Sequence, residues 1–497
     1  MGSITDADLF QEKEAQGRVD DILIVGAGIS GINAACRLID SFPALSYTIL
    51  EARHTLGGTW DLFKYPGIRS DSDLHTFGYA FKAWRGPAIA AGPEILKYLN
   101  TVADQYRIPE HTRFNTKVRE ARWSSAEKLW TVKTVHAQSG EEKVYRAKFY
   151  WNCCGYYDYD QPLEAHIPGI DSYKGIVAHP QFWKLTEDDY KGKNVAVIGS
   201  GATAITILPS LAGTAKHITL VQRSPSYIVA ANPVDSLANS LHSWLPEGWA
   251  SFLIRQRNIA RSYAVFHLAK TFPNFIKNAV ISAAKKALPP NVAVEKHFTP
   301  RYNPWDQRVC LSPHGDFYQA IREGNASIAT GNIQTINSNN QIILDSGDEI
   351  DADVIITATG LKLQLAGGVN LFVDDKPIQM NERYIWRGCM IEGVPNFAFT
   401  MGYTNLSWTL GSDCTAHFVV RLLSRLANSG KRVATPEVLK KEELEEAKLM
   451  DMSSTYIARA KNYLPKVATK GPWQRRSNYW VDMWNAKYAS MDQLILV

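Results

Sequence analysis

A chain of 497 residues is too long for one hydrophobic core and predicts two or three domains. Its 45% hydrophobic and 21% charged residues are ordinary for a soluble globular protein, and 11% aromatics with 14 Trp suit a protein that houses planar rings. A net charge of +5 gives no case for nucleic acid, and no run reaches the roughly 18 apolar residues of a membrane-spanning helix.

The opening stretch, MGSITDADLFQEKEAQGRVDD, is polar and acidic. It reads as neither a signal peptide nor a mitochondrial presequence, which predicts a cytoplasmic protein. Ile22 to Val25 is a short apolar run, predicted as a buried parallel strand. Gly26, Gly28 and Gly31 follow at GxGxxG spacing, and a helical pattern begins. The first glycine makes the tight turn, the second lets a pyrophosphate approach the backbone, and the third lets helix and strand pack closely. The helix N-terminus then offers free N–H groups and a positive dipole end to the phosphates. Glu51 ends the next strand, YTILE, where a carboxylate accepts from ribose hydroxyls. Strand, loop, helix, strand and acid in this order predict a dinucleotide site. GGTW soon after Glu51 is typical of flavoproteins with two dinucleotide domains and assigns that site to FAD.

Residues 57 to 71, GGTWDLFKYPGIRSD, fit the pattern Gly-Gly-x-Trp-x4-Tyr-Pro-Gly-x3-Asp from end to end. A second signature runs Tyr173-x-Gly175-x3-His179-x3-Trp183. Between them lies FYWNCCG, whose adjacent Cys153 and Cys154 read as a strand end. The six cysteines, Cys36, Cys153, Cys154, Cys310, Cys389 and Cys414, show no CxxC. That argues for a reducing compartment, against a bound metal such as zinc, and against a disulfide reductase. KNVAVIGS, Lys193 to Ser200, is a second strand running into a loop, with Gly199, Gly201 and Ala204 at GxGxxA spacing. The strand after it, HITLVQRS, ends in Gln222, Arg223 and Ser224, without an acid. An arginine there binds a 2′-phosphate that a carboxylate would repel, so this loop predicts an NADPH site. Gly199, Ser200, Gly201, Ala202, Thr203, Ala204, Ile205, Arg223 and Ser224 are its candidate ligands.

Asn232 to Pro304 changes character: apolar residues recur at helical spacing with Arg and Lys between them, and acid is scarce after Glu247. The segment reads either as a helical cap over a substrate tunnel or as a basic amphipathic surface touching a membrane. IITATG, Ile355 to Gly360, reads as the strand by which the chain returns to its first domain. KKEELEEAK reads as part of a solvated helix and tail. The predicted architecture is two doubly wound Rossmann-like α/β domains. Residues 1–170 and 350–497 form a discontinuous FAD domain, and 171–349 form an inserted NADP domain with a helical insertion at about 236–300.

The two signatures, together with YPGIRSDSD, VAVIGSGATAITILP, NPWDQRVCL, IITATGL and GYTNLSWTL, resemble class B flavin monooxygenases of the Baeyer–Villiger family. The likeness runs along nearly the whole chain and is strongest to the ethionamide-activating group. It implies that Arg308 is the catalytic arginine beside the flavin and Asp71 its carboxylate partner. Arg69, Ser70 and Asp71 would approach the nicotinamide. Ser30, Thr59, Trp60, Asp61, Leu62, Asp71 and the backbone near Val118 would touch FAD. His179 would organise the linker between domains. The implied reaction inserts one oxygen of O2 next to a ketone through a C4a-peroxyflavin, which a fixed guanidinium stabilises. Tyr173 and Lys184 depart from the second signature, where Phe and Pro or Asp are usual. N- or S-oxygenation therefore stays open beside the ketone reaction, and a flavin redox protein without oxygenase turnover is the third expectation. The implied partners are a small lipophilic ketone or heteroatom substrate and O2; peripheral contact with a membrane stays open from the helical segment alone.

Overall fold

The computed structural model describes residues 17–403, 406–449 and 463–497. Strand β1 (Val19–Val25) carries Ile22, Leu23 and Ile24, all fully buried, so it lies inside a sheet covered on both faces. Helix α1 (Ile29–Ser41) follows, then β2 (Tyr47–Leu50) and two short helices, α2 (Thr59–Leu62) and α3 (Leu74–Phe77). The sheet continues with β3 (Thr112–Arg113), β4 (Thr116–Ser124), β5 (Leu129–His136) and β6 (Glu142–Asn152). β6, β1, β2 and β3 pair in parallel, whereas β4, β5 and β6 form an antiparallel meander. The first sheet is therefore mixed, and alternate residues of β4 are buried, as a strand with one solvated face requires.

The second sheet is parallel throughout. It begins with β7 (Ile176–Ala178) and β8 (Asn194–Ile198), and helix α4 (Ala202–Leu211) leads to β9 (His217–Gln222). After β10 (Ile228–Ala231) come three helices, α5 (Ser236–Trp244), α6 (Glu247–Thr271) and α7 (Pro273–Ala287). Pro273 opens α7, where a missing N–H costs nothing. Then follow β11 (Cys310–Pro313), α8 (Asp316–Arg322), β12 (Ala326–Thr330) and β13 (Val354–Thr357). The order is β12-β9-β8-β13-β7.

β13 corrects one boundary. IITATG was expected to begin the return to the first domain at residue 350, yet β13 lies between β7 and β8, paired in parallel with both. Val354, Ile355 and Ile356 are fully buried, and only an interior position satisfies such a strand. The crossing back comes after Thr357. The chain then adds β14 (Asn370–Val373), β15 (Lys376–Pro377) and β16 (Phe397–Phe399) to the first sheet, and the long helix α9 (Trp408–Ser429) packs on α1. Asn33 of α1 donates to Ser412, and Arg37 pairs with Asp413 at 2.7 Å.

Two further expectations are revised. KKEELEEAK is one 3-10 turn at Lys441–Glu443 and a short strand at Glu446–Ala447, because the run has too few apolar residues to bury a helical face. The tail does contain a helix, α10 (Tyr479–Tyr488), which packs on α9. The 236–300 segment forms no cap over the central cavity, since none of its residues lines that cavity. Instead α6 lies behind α3, and Arg255 donates to the carbonyls of His75, Thr76 and Gly78 at 3.4, 3.1 and 2.7 Å. Residues 1–16, most of the acidic opening, and Thr404 and Asn405 of GYTNLSWTL lie outside the described residues.

Candidate active site

A cavity of about 500 Å³ opens between the two sheets and takes its walls from both. Its floor is the first nucleotide loop. A Cβ on Gly31 would sit 1.9 Å from the Gly26 carbonyl oxygen, so any side chain there would push α1 off β1. Gly28 begins α1 with no side chain capping the turn, which leaves the first-turn N–H groups to an anionic ligand. Gly28 faces Gly58, and a Cβ added to it would meet the Gly58 Cα at 3.5 Å, an ordinary contact that would narrow the cavity at this loop. Beside them Glu51 accepts from the N–H groups of Ala27 (2.7 Å) and Arg53 (2.8 Å). Burial raises its pKa, opposed by those two bonds and the Arg53 charge. These residues fit a dinucleotide.

Around this loop the structure places Ser30, Thr59, Trp60, Ser70 and Val118 on the cavity wall. The Ser30 hydroxyl accepts from Trp408 Nε1 at 2.9 Å, and Thr59 Oγ1 lies 2.9 Å from the Tyr159 hydroxyl. Asp61 and Leu62 fall outside the lining, and Asp61 is held by Arg53 and by Lys64 (3.0 Å). Cys153 and Cys154 do line it, but burial pushes the Cys153 thiol up to about 12, so it is no nucleophile at neutral pH.

The second loop approaches from the opposite side. Gly201 opens α4, again without a side-chain cap, and Ala202 and Thr203 reach the cavity. Gly199, Ser200, Gly201, Ala204 and Ile205 do not line it; Ala204 and Ile205 are buried beneath, and Ser200 Oγ accepts from Ser226 Oγ at 3.1 Å. At the end of β9, Gln222 turns inward and donates to the His297 carbonyl (2.8 Å) and Thr330 Oγ1 (3.0 Å). Arg223 therefore points outward, exposed, with no carboxylate partner among the described residues, and Ser224 is half-buried beside it. An outward guanidinium at this strand end fits a 2′-phosphate.

Between the loops the first signature crosses to the second domain. Tyr65 shares a hydrogen bond with the Thr203 side chain. Arg69 pairs with Asp316 at 2.5 Å, and Asp316 in turn accepts from Ser312 Oγ at 2.7 Å. Asp71 lines the cavity with Arg69 and Arg308. Burial raises its pKa to about 6, against the pull of Arg69 first and Arg308 second. Arg308, two residues before β11, presents an exposed guanidinium to the same space. Two fixed cations around one reluctant carboxylate can stabilise negative charge on oxygen and hold a proton near pH 6. His179 is elsewhere: its Nδ1 accepts from the Gln181 N–H at 3.2 Å, capping a 3-10 turn, and burial lowers its pKa.

Sequence reasoning gave no role to two wall residues, Trp408 and Tyr156, or to Asp316 behind the wall. Trp408 stacks on Tyr156 with ring centroids 4.8 Å apart, and both line the cavity. Trp408 stood in a quoted motif without a role, and only its bond to Ser30 shows one. Asp316 had no signal, because its partner Arg69 is 247 residues away.

Comparison with known proteins places this geometry. Residues 85–238 match the flavin-binding monooxygenase-like family model, and residues 24–99 match the NAD(P)-binding Rossmann-like domain. The chain is 45% identical over 476 residues to the FAD-containing monooxygenase EthA of Mycolicibacterium smegmatis, covering 95% of this chain and 96% of that one. Its fold is similar to an oxidized steroid monooxygenase bound to NADP (TM-score 0.76, 20% identity, 97% and 100% covered). An open cyclohexanone monooxygenase gives a TM-score of 0.73 at 20% identity, with the same coverage.

Proposed function

From the premise that this chain belongs to the flavin-binding monooxygenase family, alongside the EthA enzymes, we propose that it inserts one oxygen atom of O2 next to the carbonyl of a lipophilic ketone. It is an FAD-dependent monooxygenase with NADPH as electron donor, acting on O2 and an organic substrate. The Baeyer–Villiger likeness of its motifs agrees with that family. Monooxygenase membership sets aside the reading as a flavin redox protein. When bound, NADPH supplies hydride and FAD passes the electrons to O2.

The chain's own residues divide the rest of the work. The N-terminus of α1 and Gly28 would hold the FAD pyrophosphate, and Glu51 its ribose. Arg223 and Ser224 would take the 2′-phosphate of NADPH, with Thr203 of α4 nearer the reacting groups. Arg308 keeps its charge at any working pH and would stabilise negative charge on the reacting oxygen atoms. Asp71, ionised above about pH 6, would orient that guanidinium. Asp316 would fix Arg69 so that it faces Asp71 from the other side. The observation that carries this reading is the cluster of Asp71, Arg69 and Arg308 in a cavity walled by both nucleotide loops.

One observation favours sulfur or nitrogen oxidation as a second reading. An Asp71 that still binds a proton near pH 6 supplies the acid that electrophilic oxygen transfer needs. Incubation with NADPH, ¹⁸O2, a long-chain ketone and a thioether separates the two. An ester carrying one ¹⁸O supports the proposal, and sulfoxide without ester overturns it in favour of the second reading.

A further inference from the structure

Behind one wall of the cavity lies the C-terminal segment of the chain. After β16 the backbone runs through Met401, Gly402 and Tyr403, and it enters the same wall again with Leu406 and with Trp408 at the start of α9. Tyr403, Leu406 and Trp408 all line the cavity. The two stretches pack backbone to backbone. A Cβ on Gly411 would sit 2.5 Å from the Met401 carbonyl oxygen, and one on Gly402 would sit 2.4 Å from the Trp408 ring. Arg476 bridges them, donating from Nη1 to the carbonyls of Met401 (3.1 Å) and Gly411 (2.9 Å).

Tyr403 is buried, and its hydroxyl is turned to a residue outside the cavity lining: it donates to Asp482 Oδ2 of α10 at 2.7 Å. A phenylalanine would fill the same wall, so the hydroxyl is a tether and not a lining group. Asp482 accepts the Ser477 N–H on the same oxygen at 3.1 Å. Burial raises its pKa, opposed by the Arg476 charge and the Tyr403 bond. A buried phenol needs an acceptor, and a backbone carbonyl would serve. A half-buried carboxylate is costlier to desolvate, but its charge-assisted bond is shorter and stronger and holds the ring more firmly. The start of α10 is itself fixed from the other side. Tyr263 of α6 donates to the Ser477 carbonyl and accepts from the Tyr479 N–H, both at 2.8 Å, and Trp480 Nε1 donates to Gln256 Oε1 at 2.7 Å. Asp482 therefore stands on a base clamped between α6 and the cavity wall.

We propose that Asp482 is a positioning residue for the reaction: by holding the Tyr403 hydroxyl it fixes the Tyr403 ring in the cavity wall, and with it the room left beside the flavin for substrate. Asp482 lies outside the cavity lining and acts only through Tyr403. The proposal rests on the reading of this cavity as the place where FAD and substrate meet.

FAD-loaded Tyr403→Phe, Asp482→Ala and the double variant test it. Visible circular dichroism of the bound flavin reports on the wall without turnover, and steady-state rates with methyl nonyl ketone report on it during turnover. Each single variant should keep FAD and change the flavin band in the same sense. Each should also raise KM for the ketone about threefold or more, with kcat changed less. The double variant should go no further than either single, because both remove one and the same bond. Asp482→Asn, whose amide oxygen still accepts from the hydroxyl, should recover most of the wild-type behaviour. An unchanged flavin band and KM, even with a lower melting temperature, would make the bond a structural one and overturn the proposal. Full additivity in the double variant would overturn it too. Should Asp482→Ala fail to fold, Tyr403→Phe, which removes a single oxygen, decides by the same measurements. If the wild type forms no ester, the ketone reading alone falls. The flavin band and the enantiomer ratio of the sulfoxide formed from methyl phenyl sulfide then decide on Asp482.

Discussion

Asp71→Asn should make the protein more stable and less active, and the size of the gain follows from its surroundings. The carboxyl rises from an ordinary 3.8 to about 6 because burial disfavours its charge more than Arg69 and Arg308 favour it. Folding therefore costs free energy whenever the unfolded chain would ionise this group and the fold resists. At about 1.4 kcal/mol per pH unit the full cost is about 3 kcal/mol. Asp71 lines an open cavity, and water there screens the effect, so about 1–2 kcal/mol is expected. The sign fixes the pH window. Below about pH 4 the carboxyl is protonated in both states and nothing is lost; the cost grows between 4 and 6 and is complete above 6. Thermal unfolding of wild type and Asp71→Asn, both FAD-loaded and followed by flavin release, should give a variant that melts higher at pH 8 and about half as much higher at pH 5. The same variant should lose most ester formation, because an amide cannot orient the Arg308 guanidinium by charge. A variant melting at or below wild type at pH 8, or a gain independent of pH, would refute the assignment of Asp71 as a charge held at a cost.

Arg308→Ala should keep FAD, since the Gly26–Gly31 loop and Glu51 are untouched, but ester formation measured by gas chromatography should fall about a hundredfold or more. NADPH oxidation should continue with release of hydrogen peroxide, and Arg308→Lys should recover only part of the product yield. Arg223→Ala should raise KM for NADPH about tenfold or more while leaving KM for NADH nearly unchanged, in steady-state assays with each nucleotide. Asp316→Asn should lower stability by on the order of 1 kcal/mol and raise KM for NADPH without loss of FAD, as chemical denaturation and steady-state kinetics would show.

The two Gly-rich turns between strand and helix were legible because their geometry is local. A strand, three small residues and a helix start must be consecutive for the backbone to turn and present its N–H groups, so GxGxxG and GxGxxA carry their structure within a dozen residues. The positions of Glu51 and Arg223, each just past the end of the next strand, were legible for the same reason. The contacts that assemble the cavity are not local. Trp408 reaches Ser30 across 378 residues, and Arg69 reaches Asp316 across 247. No periodicity encodes such a pairing. IITATG misled because a short apolar run reads alike in either sheet, and only its neighbours, β7 and β8, decide where it belongs. The segment 236–300 showed its helical spacing, but spacing does not say which side of a helix meets protein. That was settled by Arg255, whose bonds to the carbonyls of α3 fix the inner side.

The same residues explain why one short signature can serve two domains. Residues 57–71 begin at the first loop, where Gly58 faces Gly28, and end at the second domain, where Tyr65 meets Thr203 and Arg69 meets Asp316. The segment is thus a tie across the cavity that both nucleotides would share. Asp71 sits at its end, against guanidinium groups from both sides: Arg69 from the signature itself and Arg308 from the second domain. Burial raises the Asp71 pKa to about 6 against the pull of both guanidinium groups, so the carboxyl at the end of this tie is also the one the fold holds charged at a cost.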